Sequence, residues 1–222
     1  MNEDIEQSAT YDPRLRTRNR AILVGLMVLG MLPLIAAVWL YYGNPGSVTG
    51  AQTNRGALLQ PPAQLPELAL RDEGGLVTAE GPRLWRIVLF APTACGEPCL
   101  ERMHLLRQVH VLLGREEDRV IRLAAFDGEP DAALHSAMLE YFPDQEIVRA
   151  RPGTLAEVLG TRALVGGDAL DPALVEAGGP WPEEGILIVD PLGNVIFFHG
   201  LDQIGDALLF DLKRLLRLSN IG

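Results

Sequence analysis

Three hydrophobic patterns divide the chain. Residues 21–42 form an uncharged apolar run, residues 43–65 are rich in Gly, Pro, Gln, Asn and Thr, and residues 66–222 alternate short apolar runs with amphipathic stretches. As a helix at ~1.5 Å per residue, the apolar run spans roughly 33 Å, enough to cross the hydrocarbon core of a bilayer. The pattern predicts a tail at 1–20, a transmembrane helix at 21–42, a linker at 43–65 and a folded domain at 66–222.

The charges that flank the apolar run predict its orientation. Arg14, Arg16, Arg18 and Arg20 precede the run, and the first basic residue after it is Arg55. Because basic residues remain on the cytoplasmic side, the tail is expected in the cytoplasm and the domain on the periplasmic side of a bacterial inner membrane. The alternatives are a cleaved signal sequence and the buried helix of a soluble protein.

In the domain, apolar runs between turn residues predict strands, and apolar residues three or four apart predict helices. The predicted elements are a small hairpin at 68–77, a strand at 87–90, a helix from Pro98, a strand at 120–126, a helix at 131–141, a minor strand at 147–148, a helix at 154–164, a hairpin at 186–198 and a last helix capped by Asp202, with Ile204, Leu208, Leu212 and Leu215 on one face. The strand–helix–strand order implies a right-handed parallel crossover, and the second hairpin adds antiparallel strands. We therefore expect an α/β fold, a mixed sheet with helices on both faces.

Charge and cysteine content narrow the function. The formal net charge is -10, and the tail is balanced, so the excess acid lies in the domain. Such a domain repels phosphates, which argues against nucleic acid as a partner and favours proteins or a cation. Only two cysteines are present, so the chain has no disulfide framework; the pair is a disulfide, a redox pair or a soft-metal site.

The two cysteines, Cys95 and Cys99, lie between a predicted buried strand and a predicted helix. N–H groups at a helix start stabilise a thiolate, and residues four apart on a helical turn lie ~6 Å apart, within disulfide range. Two thiolates also suit Cu(I). Glu97 opposes a thiolate but favours a cation. A permanent structural disulfide is the alternative, although closing so small a loop contributes little stability.

The segment 90–99 resembles the active segment of the Sco/SenC family, membrane-anchored thioredoxin-like factors that assemble the copper centre of cytochrome c oxidase. The matching positions are Phe90, Thr93, Cys95, Glu97 and Cys99. Residues 187–193 also resemble the family's strand and turn before its last hairpin strand. The resemblance implies a thioredoxin-like fold, thiol or copper chemistry at the two cysteines, and partners among oxidase subunits or assembly factors.

The chain departs from that family at one copper ligand. The family binds copper with both cysteines and a histidine shortly before the strand, but residues 181–184 read Trp-Pro-Glu-Glu. This favours thiol–disulfide exchange, Cu(I) held by two sulfurs, or a non-catalytic role. Of the four histidines, His199 is the remaining candidate ligand, about 10 Å away at ~4.8 Å per strand. The alternative for His199 is a structural position at the end of a strand.

Three functions remain open from the sequence. The first is an oxidase assembly factor that reduces or metallates a partner's cysteines. The second is a general periplasmic thiol–disulfide oxidoreductase, which would more typically have two residues between its cysteines and a proline just before the strand at Ile186, where Glu184 and Gly185 stand. The third is a non-catalytic interaction module with a structural disulfide.

Overall fold

The computed structural model describes residues 13–43, 54–167 and 179–219. The first range forms one helix, α1, from Pro13 to Gly43. Over the 22 residues Arg18–Trp39 it is the one helix in the described part of the chain that is long and apolar enough to cross a membrane. The side chains described along this span are exposed, as lipid contact requires. The sequence thus predicted the existence of this helix; the predicted bounds were 21–42, whereas the helix begins at Pro13 and its candidate membrane span at Arg18.

The domain is built on one mixed sheet, as predicted. Its strands, within the described residues, are β1 (Ala57–Gln64), β2 (Arg71–Asp72), β3 (Gly75–Leu76), β4 (Trp85–Ala91), β5 (Val120–Phe126), β6 (Gln145–Arg149), β7 (Ala163–Val165), β8 (Gly185–Val189) and β9 (Asn194–His199). Their order across the sheet is β3-β2-β6-β5-β4-β8-β9-β1-β7. β4, β5 and β6 run parallel, and the other neighbouring pairs are antiparallel. Both predicted hairpins are confirmed.

Helices cover both faces of the sheet. The α-helices in the described part of the domain are α2 (Glu97–Val111), α3 (Ala132–Tyr141), α4 (Thr154–Gly160) and α5 (Asp206–Leu218). Buried residues of α2, α3 and α5 pack into the core on one face, and those of α4 and of the short 3-10 turn Leu65–Leu68 pack into the core on the other. The predicted arrangement of helices on both faces is confirmed.

Strand β4 supplies side chains to both cores. Ile87 and Leu89 lie in the first core, and Val88 and Phe90 lie in the second. All seven residues of the strand are buried, which explains why residues 87–90 form a continuous apolar run instead of an alternating pattern. A fully buried side chain of this size contributes about 1.5–3 kcal/mol of hydrophobic stabilisation.

The start of α3 confirms a predicted cap. The Asp131 carboxylate accepts a hydrogen bond from the Leu134 N–H at 2.7 Å. The first four N–H groups at a helix start lack a partner within the helix, and an aspartate at the N-cap satisfies one of them.

Part of the segment predicted to be a linker is a strand of the folded domain. The end of the stretch 43–65 forms β1, which pairs with β9 and β7, so the folded domain begins before residue 66. Pro61 and Pro62 made this segment read as a linker. They fall where the pairing of β1 with β9 shifts register, a place where a strand tolerates residues that cannot donate to the ladder.

Two helix boundaries were also predicted wrongly. The helix expected at 154–164 ends at Gly160, and β7 follows it. The last helix begins at Asp206, not after Asp202, because residues 201–203 form a separate 3-10 turn and Gly205 turns the chain with φ of 131°. Most of the stretch 165–180 lies outside the described residues.

Candidate functional site

Cys95 and Cys99 are joined by a disulfide in the loop that leads from the central strand β4 into α2. Their Cα atoms are 5.2 Å apart, within the usual range for a disulfide. The predicted pairing of the two cysteines is therefore present in the structure. Whether the pair is catalytic stays a prediction.

The two sulfurs differ in exposure. Cys99 is 6% exposed and packs in the same core as Met103 and Leu106, whereas Cys95 is only partly buried against that core. An incoming sulfur therefore has access to Cys95 first. This asymmetry is what stepwise thiol–disulfide exchange requires, because one sulfur meets the partner and the other resolves the intermediate.

The helix start offers Cys95 few hydrogen-bond donors. α2 begins at Glu97, and Pro98, its second residue, has no N–H. The N–H of Cys99 donates to the Gly96 carbonyl oxygen at 3.0 Å. The helix dipole still favours a thiolate here, but the missing donor and the Glu97 carboxylate reduce that stabilisation.

A neighbouring loop holds the cysteine loop in place. The N–H of Thr93 donates to the Asp127 carboxylate at 2.7 Å, and Asp127 directly follows β5. β4 and β5 are parallel, so the two loops leave the same edge of the sheet. Asp127 was not among the site residues expected from the sequence, although an acid directly after a buried parallel strand is a signal that could have indicated it.

Residues 181–184 contact α2, the helix that carries Cys99. In the resemblance to the Sco/SenC family, these residues stand where that family has its histidine. Glu184 forms an ion pair with Arg102, 2.8 Å away, and Arg102 lies one helical turn after Cys99. Both side chains are more than one third exposed, so the pair contributes only about 0.2–1 kcal/mol. Its main effect is to position this segment beside the cysteine site. Trp181 packs on the opposite face, where a Cβ on Gly160 would come within 2.7 Å of its indole nitrogen.

His199 lies two strands across from β4, as predicted, but its ring is not presented to the cysteines. The side chain is fully buried, and a Cβ on Gly56 would collide with the ring. Nε2 is 3.4 Å from the Asp211 carboxylate, and among the described residues neither ring nitrogen has a partner that meets the geometry of a full hydrogen bond, Gln203 being a weaker contact. Within the described residues, no three His, Cys, Asp or Glu side chains come together as a metal site.

Asp211, also not expected from the sequence, holds the backbone of residues 55 and 56, directly before β1. Its carboxylate accepts hydrogen bonds from the N–H groups of Arg55 and Gly56, the latter at 2.8 Å. Burial is the largest influence on both members of this buried pair. Burial lowers the pKa of His199 to about 4, and Gln203 opposes part of that shift. Burial also raises the pKa of Asp211, although the backbone N–H groups of Gly56 and Arg55 act to lower it.

The other histidines have structural surroundings. The His104 ring packs against Phe142 with centroids 4.6 Å apart, and His110 Nε2 lies 2.8 Å from the Val120 carbonyl oxygen. His135 is exposed on α3.

Comparison with protein families supports the fold. Residues 85–163 match a family described as transmembrane-like, thioredoxin-like, C-terminal domain. The domain has a thioredoxin-like fold. No curated protein sequence matches the chain.

Several solved structures are similar at low identity. A thioredoxin-like protein from Porphyromonas gingivalis aligns at 18% identity and a TM-score of 0.44, over 70% of this chain and 91% of its own. Copper-bound ScoI from Bradyrhizobium japonicum aligns at 19% identity and a TM-score of 0.41, over 73% and 99%. Yeast Sco1 aligns at 12% identity and a TM-score of 0.47, over 76% and 100%.

The buried His199 predicts acid-sensitive stability. Because its pKa is lower in the folded chain than the ordinary 6.5, its contribution to stability is complete above pH 6.5 and is lost as pH falls toward about 4. The loss is up to about 3 kcal/mol. The raised pKa of Asp211 has the opposite effect on stability, because its protonation as pH falls favours the folded chain, and this offsets part of the loss.

Denaturant unfolding of the full chain in detergent at pH 7 and pH 5 measures this loss. We expect His199→Gln to flatten the pH dependence and the exposed control His135→Gln to retain it. Equal pH dependence in wild type and His199→Gln would contradict the assignment.

Proposed function

We propose that this chain is a membrane-anchored thiol–disulfide exchange protein, and that its Cys95–Cys99 pair reduces a cysteine pair on a partner polypeptide. The observation that carries the proposal is the disulfide at the end of the central strand, with one sulfur accessible and the other buried. A disulfide that only stapled the helix start would close a loop of few residues and contribute little stability.

The exchange proceeds in two displacements. In the reduced protein, the Cys95 thiolate attacks one sulfur of the partner disulfide, forming a mixed disulfide and releasing one partner thiolate. Cys99 then loses its proton and attacks the Cys95 sulfur, which breaks the mixed disulfide and releases the second partner thiolate. The partner gains two electrons and the chain ends with the Cys95–Cys99 disulfide seen in the structure.

The anchor and its charge asymmetry support a periplasmic site of action. Arginines precede the uncharged apolar run 21–42 and are absent from the residues directly after it, which favours a cytoplasmic N-terminus. On the periplasmic side disulfides form and persist. There, a partner that needs free thiols to receive a metal has to be reduced first.

For the partner, we propose a subunit or assembly factor of cytochrome c oxidase. The support is the resemblance of segment 90–99 to Sco/SenC proteins, together with the anchored thioredoxin-like architecture. A general oxidoreductase with many substrates is the competing proposal. Oxidase subunit genes adjacent to the gene for this chain would favour the first, and their absence would favour the second.

A second candidate function is the handling of Cu(I) as cargo. The reduced pair supplies two soft thiolates, which suit Cu(I), whereas Cu(II) prefers additional nitrogen ligands. Glu183 and Glu184 occupy the place of the family histidine, and the His199 ring is enclosed by Gly56 and Asp211. The donor set therefore fits Cu(I) in the reduced state and lacks a third ligand for Cu(II).

The first prediction concerns redox state in cells. Alkylation trapping of the full chain should reveal both reduced and oxidised forms, because an exchanging pair cycles between them. The purified disulfide should also be reduced by a dithiol under native conditions. A pair that stays oxidised under strong reductant, and whose Cys95→Ser variant shows only a lower melting temperature, would establish a structural staple instead.

The second prediction concerns copper. The reduced full chain, titrated anaerobically with Cu(I) against a competing chelator, should bind one ion. Cys95→Ser or Cys99→Ser should abolish binding, since one thiolate is a poor site. His199→Gln should change the affinity less than about twofold because the ring is fully buried beside Gly56 and Asp211. Tight Cu(II) binding that disappears in His199→Gln would restore a three-ligand, Sco-like site.

A further inference from the structure

The exposed side of the last helix, α5, carries a cluster of cations around an aromatic ring. Four exposed residues, each three or four positions from another, are neighbours on this side of the helix: Phe210, Lys213, Arg214 and Arg217. Arg55, just before β1, joins them from outside the helix, because its guanidinium lies over the Phe210 ring, 5.5 Å from the ring centroid. We call these five residues the basic face.

The cations of the basic face are not neutralised by nearby acids. Within the described residues, Arg55, Lys213 and Arg217 form no ion pair with a carboxylate. Asp211 is buried and accepts hydrogen bonds from backbone N–H groups, and Asp206, at the helix start, is the one exposed acid of α5. Lys213 and Arg217 are one helical turn apart, where like charges repel each other. An anionic ligand would relieve that repulsion.

The helix dipole accounts for only part of this cluster. A cation stabilises the last turn of a helix, and Arg217 lies in that turn of α5. The effect fades beyond the last turn, so it does not explain Lys213, and Arg55 belongs to another part of the chain. The chain as a whole has a formal charge of -10. A concentration of cations on one helix of an acidic domain therefore indicates a local role.

The chain enters the domain at the basic face. The Asp211 carboxylate of α5 accepts hydrogen bonds from the N–H groups of Arg55 and Gly56, at 2.9 and 2.8 Å. Only residues 44–53 separate Asn54, where the described part of the domain begins, from the end of α1 at Gly43. Even fully extended, that segment spans at most about 40 Å. A membrane that holds α1 is therefore always within reach of the domain.

We propose that the basic face binds the phosphate groups of an anionic lipid surface, so that the domain docks on the membrane that holds its anchor. Two observations favour lipid over an acidic protein. One is the short segment between the anchor and this face. The other is the exposure of apolar side chains here, 43% for Phe210 and 73% for Leu218, one turn after Arg214. Such side chains enter the boundary between headgroups and acyl chains, while basic neighbours contact the phosphates.

The inference needs the membrane anchor but not the exchange function. A docked domain cannot turn freely about the segment that joins it to α1. The loop that carries Cys95 and Cys99 is then presented above the membrane in one orientation, to partners in that same membrane.

Lys213 offers a direct readout because it is the only lysine in the chain. The full chain is reconstituted in nanodiscs of phosphatidylcholine, with or without phosphatidylglycerol; neither lipid has a primary amine. An amine-reactive reagent is added at low salt, and mass spectrometry follows the modification of the Lys213 peptide. We expect anionic lipid to slow it at least about fivefold, since each basic residue near such a surface strengthens association about fivefold. The slowing should disappear at about 1 M salt, where charges are screened within ~3 Å.

Matched double variants separate the basic face from a general effect of charge. Arg55→Gln with Arg217→Gln removes two cations of the face and keeps Lys213 as the reporter, so the slowing should fall below about twofold. Arg71→Gln with Arg83→Gln makes the same charge change at exposed positions outside the face and should retain the slowing. Equal slowing in the two double variants, or none in the wild-type chain, would overturn the proposal.

An acidic protein is the competing occupant, and the same reporter distinguishes it. Polyglutamate is added to the chain in phosphatidylcholine nanodiscs. Protection of Lys213 by polyglutamate, with none by phosphatidylglycerol, would refute lipid docking and assign the face to an acidic protein segment.

A cysteine variant separates docking from the exchange function. Cys95→Ser removes the attacking sulfur and should retain the slowing by anionic lipid, because the basic face contains neither cysteine. Slowing without any exchange activity in the wild-type chain would refute the exchange function and leave docking intact. Exchange activity without slowing would refute docking alone.

Discussion

Burial of strand β4 on both faces is the constraint on which the rest of the structure depends. Its seven residues are all buried between a parallel neighbour, β5, and an antiparallel one, β8. A strand in this position cannot shift by one residue without exchanging the side chains of the two cores. The loop that follows therefore leaves the sheet at a defined point, and Asp127 from the next loop holds it there. The position of the disulfide is a consequence of that packing.

Elements that depend on local pattern could be predicted from the sequence. The apolar run of β4, the hairpin of β8 and β9 and the Asp131 cap of α3 each carry their cause within a few residues. Strand β1 could not be predicted because its pairing with β9 spans most of the domain and its two prolines are characteristic of a linker. The start of α5 was misplaced because Asp202, a good capping residue, precedes the glycine at which the chain turns into the helix.

The candidate site, too, was predictable only in its local features. The cysteine pair was predictable because four-residue spacing at a helix start is a local feature. Its surroundings were not, because Asp127 and the Arg102–Glu184 pair reach the loop through the fold. His199 illustrates most clearly what the sequence could not predict. Its place two strands from β4 was predicted correctly. The surroundings of its ring, Gly56 and Asp211, depend on β1 and α5, and the starts of these two elements were not predicted.

Trapping the mixed disulfide tests the central claim most directly. In a full chain carrying Cys99→Ser, Cys95 can attack a partner disulfide, but the resolving sulfur is absent. A covalent complex with the partner should therefore accumulate in the membrane, and reductant should cleave it. Cys95→Ser should give little of it, since Cys99 is buried. Mass spectrometry of the linked peptides would identify the partner cysteine and its neighbouring residues. Absence of any reductant-sensitive complex in Cys99→Ser, or equal amounts in both variants, would contradict the account.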